Sequence, residues 1–183
     1  MAHFVSVVIP CNPSLQGLTF IAFNISQDNL PSPRTESAGQ VLGGGVVPNL
    51  DYLWNNQLIL GLSEFTILVH FTGFLQWPGV AGLNQTVTFY DSSDDGFYLT
   101  INDVNVIDNW TPQGSQLYNG EGSLTLIGGE VYTIDIWYYQ GCCPAALYLF
   151  WSMGPAQSTV IVPGSVFAQD AMYFENCASL PGM

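Results

Sequence analysis

The stretch Asp91-Ser92-Ser93-Asp94-Asp95-Gly96-Phe97-Tyr98-Leu99-Thr100-Ile101-Asn102-Asp103-Val104-Asn105-Val106-Ile107 decides the fold class. Beyond Gly96, Phe97, Leu99 and Ile101 share one face of an extended segment, and Tyr98 and Thr100 share the other. A period of two, carried by aromatic and β-branched residues, marks a half-buried antiparallel strand. Asn102-Asp103 supplies a turn, because both residues tolerate left-handed backbone angles. Residues 104–107 then return as a second strand, so 97–107 is expected to be a hairpin.

The same pattern extends outward in both directions. Strand-like runs occupy 4–9, 18–25, 66–74, 86–90, 123–127, 131–139, 146–151 and 158–162. In 131–136, Val131, Thr133 and Asp135 share one face and Tyr132, Ile134 and Ile136 the other, and Gly128-Gly129 makes the tight connection that leads in. Turn signals recur about every ten residues, as in sandwiches and barrels. The expected fold class is all-β, an antiparallel β-sandwich with long loops. The richest loop signal runs from Pro31 to Pro48 and contains Pro31-Ser32-Pro33 and Gly43-Gly44-Gly45. No repeat or linker breaks the chain, and 183 residues suit a single domain, 1–183.

Charge narrows the partners. One basic side chain, Arg34, stands against 14 acidic ones, for a formal net charge of −13. Such a surface cannot neutralise phosphates, so nucleic acid and anionic membranes are poor partners. No apolar run is long enough to span a bilayer, and membrane insertion is not expected. Five of the carboxylates (Asp91, Asp94, Asp95, Asp103 and Asp108) fall between positions 91 and 108. Crowded carboxylates repel one another unless a cation sits among them.

The cysteines are Cys11, Cys142, Cys143 and Cys177, with no Cys-x-x-Cys pair, and the histidines are His3 and His70. That is not a zinc pattern. An even count fits disulfides and an oxidising, extracellular setting, as in a mature domain or one cut from a larger secreted protein. Three pairings are possible. If the terminal strands are neighbours, Cys11–Cys177 pairs and leaves a vicinal Cys142–Cys143 bridge; otherwise the adjacent cysteines reach separately to Cys11 and Cys177.

Two segments carry oxygen chemistry. Successive side chains of a strand point to opposite faces, so Asp94 and Asp95 reach one cation only if the peptide between them turns, as a cis peptide would. The segment Trp137-Tyr138-Tyr139-Gln140-Gly141-Cys142-Cys143-Pro144 ends a strand in an amide followed by an irregular loop. Calcium accepts carboxylate, amide and backbone carbonyl oxygens.

Together, Asp94-Asp95-Gly96-Phe97-Tyr98-Leu99, Asn102-Asp103, Val106-Ile107-Asp108-Asn109-Trp110 and Gly129-Glu130-Val131-Tyr132 resemble the protective-antigen-type domain, the PA-fourteen superfamily, over residues 91–151. The resemblance implies a β-sandwich. In its sugar-binding branch, which includes flocculins, epithelial adhesins and domains of bacterial RTX-type adhesins, a cis-linked Asp-Asp pair binds calcium, and calcium binds sugar hydroxyls. The implied metal ligands are Asp94, Asp95, Gln140 (where the fungal lectins have Asn) and the carbonyls of Gly141 and Cys142, with Pro144 a further donor. The implied sugar contacts are Asp94, Asp95, Gln140, Cys142 and Cys143. The implied cofactor is Ca2+, and the implied partners are cell-surface or extracellular glycans of small neutral sugars. The isolated domain is expected to be monomeric, non-enzymatic and part of an adhesin.

Two rivals stand beside this reading. A retaining glycoside hydrolase needs two carboxyls about 5–5.5 Å apart, one of them protonated, whereas a cation on Asp94-Asp95 keeps both ionised. A structural or protein-interaction domain would use calcium only for rigidity. Asp108 and Asn109 read as structural, Trp110 and His70 as core residues, and Asp103 as a candidate for a secondary calcium. Asn24, Asn84 and Asn109 head glycosylation sequons. No Gly-x-Ser-x-Gly nucleophile motif occurs.

Overall fold

The computed structural model describes residues 11–25, 39–55, 57–63, 66–142, 144–152 and 158–177. Its strands are β1 (Leu18–Asn24), β2 (Val41–Val47), β3 (Asp51–Leu53), β4 (Ile67–Gln76), β5 (Asn84–Asp94), β6 (Phe97–Ile101), β7 (Val104–Asn109), β8 (Gly120–Ile127), β9 (Val131–Gln140), β10 (Ala146–Ser152), β11 (Val160–Ile161) and β12 (Phe167–Ala168). A short helix α1 (Met172–Cys177) follows.

The described strands form two antiparallel sheets. The larger runs β2-β1-β4-β9-β6-β7, with β12 also against β4; the smaller runs β11-β10-β5-β8, with β3 also against β10. Alternation along the strands builds the core between them. Val69 and Phe71 of β4, Leu99 of β6 and Ile134, Ile136 and Tyr138 of β9 meet Val87 and Phe89 of β5 and Leu147, Leu149 and Trp151 of β10. Each such side chain removed from water contributes roughly 1.5–3 kcal/mol.

The larger sheet is apolar on its outer face as well, where Phe23, Leu68, Tyr98, Trp137 and Tyr139 form a second buried cluster. Trp110 packs half-buried against that cluster rather than in the main core. His70 also faces outward. Its ring stacks on Trp137 at 3.8 Å and 9°, and its Nε2 lies 2.7 Å from Asp135 Oδ2. Both residues are thus corrected from core to outer face, because β4 and the β7 exit present them on the side opposite Phe71 and Ile107.

The hairpin falls where the sequence put it, with φ of 47° at Asn102 and 61° at Asp103. Strand β5 is longer than expected and carries the acidic pair to its end. The loop expected over 31–48 holds strand β2 instead, while its start lies outside the described residues. Glycine reads as a turn in sequence, yet Gly43, Gly44 and Gly45 pair with Ala22, Ile21 and Phe20. A Cβ at Gly44 would stand 2.7 Å from the Phe20 carbonyl oxygen, so close approach demands the glycine. The strand expected at 4–9 lies outside the described residues.

Cys11 and Cys177 are joined, which rules out the pairing in which the adjacent cysteines reach to the termini. Cys142 is also disulfide-bonded, and its partner lies outside the described residues. No helix among the described residues is long and apolar enough to cross a membrane.

Candidate metal and sugar site

The chain passes from one sheet to the other at the acidic pair. Asp94 is the last residue of β5 and pairs with Ala146 of the smaller sheet; Phe97, three residues on, pairs with Tyr138 of the larger. The Asp94-Asp95 peptide is cis. The crossover is held on both sides. The Asp95 N–H donates to the Tyr139 carbonyl at 3.1 Å, and the Tyr139 N–H donates to the Gly96 carbonyl at 3.0 Å. The Tyr138 hydroxyl donates to the Asp94 carbonyl at 2.7 Å. The Asp95 carbonyl accepts from Ser93 Oγ at 2.7 Å and from Gln113 Nε2 at 3.2 Å.

Both carboxylates turn toward the end of β9 and toward the loop 111–119. Asp95 Oδ2 accepts from the Gly141 N–H at 2.8 Å, and Oδ1 from the Gln113 N–H at 2.9 Å. Asp94 accepts from the Gln140 side chain and from the Ser115 backbone N–H. Burial raises the Asp94 pKa, and the Asp95 charge pushes in the same direction, against the two hydrogen bonds. Gln140 is fully buried, and its Nε2 donates to the Cys142 carbonyl. Asp94, Asp95, Gln140, Gly141 and Cys142 are therefore joined in one hydrogen-bonded cluster. Cys143 lies outside the described residues, and Pro144 is exposed.

Behind the pair sits a carboxylate of a different kind. Asp91 is wholly buried. It accepts from Ser93 Oγ at 2.8 Å, from Asn109 Nδ2 at 3.1 Å and from the Gly120 backbone. Burial lifts its pKa to about 6 in spite of those bonds. Ser93 Oγ thus lies between Asp91 and the Asp95 carbonyl, and its single proton is shared between the two acceptors. Sequence reasoning missed Ser93, Gln113, Ser115, Asn119 and Tyr138. Asn119 Oδ1 holds the Ser93 N–H at 3.1 Å and the Gln116 N–H at 3.0 Å, which closes the 111–119 loop onto β5. No spacing signal in a polar loop could have announced this. The exposed Asp108 and Asp103 stand outside the cluster, Asp103 lining a groove with Thr133 and Asp135 on the larger sheet.

The donor set fits a hard cation. Among the described residues no group of three or more His, Cys, Asp or Glu side chains could hold a metal, so an ion here would need amide and carbonyl oxygens beside the two carboxylates. Those are available: a half-turn of the Gln140 amide exchanges Nε2 for Oε1, beside the Cys142 carbonyl. Carboxylate, amide and carbonyl oxygens without thiolate or imidazole suit calcium rather than zinc. The single basic side chain, Arg34, is not among the described residues, so none of those offers Lys or Arg to neutralise the pair.

Residues 65–154 match the model of the PA14 domain family. A curated relative, the anti-sigma-I factor RsgI3 of Acetivibrio thermocellus, is 27% identical over 124 residues, which are 67% of this chain and 18% of that protein. The chain thus spans about a fifth of that relative. Among solved structures, the PA14 domain of the MpAFP antifreeze protein superposes with a TM-score of 0.67 at 16% identity, covering 92% of this chain and 96% of that one. The epithelial adhesin 6 A domain of Candida glabrata, solved in complex with Galb1-3GlcNAc, gives 0.66 at 16% identity and 90% of each chain. At these identities the likeness is one of fold.

Proposed function

We infer, from the premise that this chain carries a PA14 domain, that it is a carbohydrate-binding module whose Asp94-Asp95 pair holds calcium for sugar recognition. The observation that carries the reading is the convergence of two adjacent carboxylates, the buried Gln140 amide and the Cys142 carbonyl at one point between the sheets. Bound calcium would supply a cation that accepts further neutral oxygens, such as paired sugar hydroxyls. Asp94, Asp95, Gln140 and Cys142 would hold it. Gly141 and Gln113 orient Asp95 through their backbone amides, and Ser115 orients Asp94. The exposed residue Cys142 and the 111–119 loop flank the carboxylates, where they can meet the rest of a sugar ring.

The reading is of binding rather than catalysis, because a cation shared by both carboxylates leaves neither protonated to act as a general acid. The complex of a similar adhesin fold with a galactosyl disaccharide supports glycans as the ligand class. The Cys11–Cys177 bridge supports an extracellular setting. A glycan array run with calcium and repeated with chelator tests the proposal: hits that vanish with chelator support it, and an array blank in calcium refutes it.

A second reading draws on the likeness to an anti-sigma-I factor. The same pocket would then serve as the sensing module of a regulatory protein, with the glycan as signal. It predicts that reporter output in the parent host responds to the glycan only while Asp95 is intact.

A further inference from the structure

We propose that the outer face of the smaller sheet is a second carbohydrate surface, an aromatic strip that seats a neutral polysaccharide chain continuing from the Asp94-Asp95 site. The proposal rests on the carbohydrate reading only for the end of the chain nearest Asp94.

Alternation along β10 turns Leu147, Leu149 and Trp151 into the core and leaves Tyr148 and Phe150 facing outward. Across the ladder, Tyr90 lies opposite Phe150 and Ser92 opposite Tyr148. Tyr118, held at a φ of 61° in the 111–119 loop, lies on both strands: its ring is 4.8 Å from that of Tyr90 and 5.5 Å from that of Phe150 at 86°. Tyr148 continues the row 6.0 Å from Phe150. None of these four rings belongs to a buried cluster, and Tyr118 is 38% exposed. A contiguous apolar patch, rather than a single exposed ring, is the feature that marks an interaction surface.

The composition of the strip selects its occupant. Tyrosine and phenylalanine faces stack on the C–H faces of pyranose rings, and the neighbouring hydroxyls of Thr88 and Ser123, paired with each other at 2.8 Å at the exposed edge, can serve sugar hydroxyls. The strip is flanked by acid: Asp51 pairs with Tyr148, and Glu121 with Tyr90. With no Lys or Arg among the described residues, uronates, nucleic acid and anionic lipid are repelled, and a neutral glycan is not.

Continuity fixes the direction. Ser92 Oγ donates to the Gln116 carbonyl and lies 3.3 Å from Ser115 Oγ. The backbone of Ser115 serves Asp94, and that of Gln113 serves Asp95. One loop therefore forms the wall of both surfaces, with Tyr118 over the strip and its amides on the carboxylates. A chain whose end sits at Asp94 can run past Ser92 onto the rings.

Affinity electrophoresis through gels containing hydroxyethylcellulose, xyloglucan or galactomannan tests this, with polygalacturonate as the anionic control. Tyr118→Gly removes the ring and suits the positive φ; Tyr148→Ala removes a second ring. The parent should be retarded by a neutral polymer and not by polygalacturonate. Each folded variant should bind that polymer about tenfold more weakly, the equivalent of about 1.4 kcal/mol. Since the rings need no ion, part of the parent's retardation should survive EDTA. If the calcium reading fails, chelator changes nothing while Tyr118→Gly still weakens polymer binding. If the strip fails, Tyr118→Gly binds polymer like the parent while chelator still releases small sugars. No retardation by any neutral polymer overturns the proposal. So does sedimentation in which the parent is a dimer that Tyr118→Gly dissociates, for the strip would then be a protein interface.

Discussion

The backbone N–H of Gly141 donates to Oδ2 of Asp95 at 2.8 Å, fastening the end of β9 to the β5–β6 crossover 46 residues earlier in the chain. The bond closes only when β9 lies correctly between β4 and β6, so site geometry and sheet register are one structural fact. Residues that hold the crossover against β9 should therefore affect stability and binding together.

Gly96 is the sharpest case. A Cβ there would stand 2.1 Å from Cε1 of Tyr139, a ring with no exposure and with Trp110 packed edge-on at 4.7 Å. The ring has no space to yield. Gly96→Ala should destabilise the fold by about 1–3 kcal/mol or more, read as a lower midpoint in urea. The folded fraction that remains should bind sugar poorly. A midpoint equal to the parent's would show that the crossover yields.

Asp91 should make stability depend on pH in an uncommon direction. Its folded pKa, about 6, lies above the usual 3.8 because burial disfavours the charge. The neutral form is therefore the one the fold prefers. The contribution is fully present below about pH 4 and is lost as pH rises through about 6, amounting to about 3 kcal/mol. Asp91→Asn keeps the shape without the charge. Its stability relative to the parent should be close to level at pH 4 and should rise by that order above pH 7. Urea unfolding at several pH values measures the gap; a gap that does not change with pH would refute the assignment.

The Cys11–Cys177 bridge joins residues 166 positions apart. Cross-linking a loop that long restricts the unfolded chain, and removing such a bridge typically costs about 2–5 kcal/mol. The double variant Cys11→Ser, Cys177→Ser should melt at lower temperature. Because the bridge and α1 pack with Phe74 and Val131, at the opposite end of β9 from Gln140, its affinity for sugar should stay near the parent's while it remains folded. Lost affinity in the folded variant would tie the termini to the site.

Much of the sandwich was legible because period-two alternation is a local property, written strongly in Phe97 to Ile107 and in β9. The acidic pair was legible because two charges side by side are unusual at a strand end. Strand β2 was hidden because its three glycines carry no pattern, and only Phe20 and Ile21 across the ladder explain them. His70 and Trp110 were misplaced because alternation tells inside from outside only when one face is polar, and the larger sheet is apolar on both. The loop 111–119 was hidden for a third reason: its amides act on Asp94 and Asp95 through tertiary contact, and backbone groups leave no mark in sequence.

The ligand roles should separate by charge. Asp95→Ala removes a carboxylate held by two backbone amides, Gly141 and Gln113, and takes away a charged ligand; calcium-dependent sugar binding should disappear. Gln140→Ala removes a neutral ligand and should weaken binding less, by about tenfold to a hundredfold, as losses around a metal site commonly do. Asp108 is exposed on β7 and outside the cluster, so Asp108→Ala should bind like the parent. Because protons compete with the ion for carboxylates, and burial raises the Asp94 pKa, parental binding should also fail as the medium becomes strongly acidic. Calorimetry with a binding sugar at saturating calcium ranks the three variants. If Asp95→Ala, folded by circular dichroism, binds the sugar as the parent does, the carboxylate pair is not the sugar site, and the order Asp95, Gln140, Asp108 has no basis.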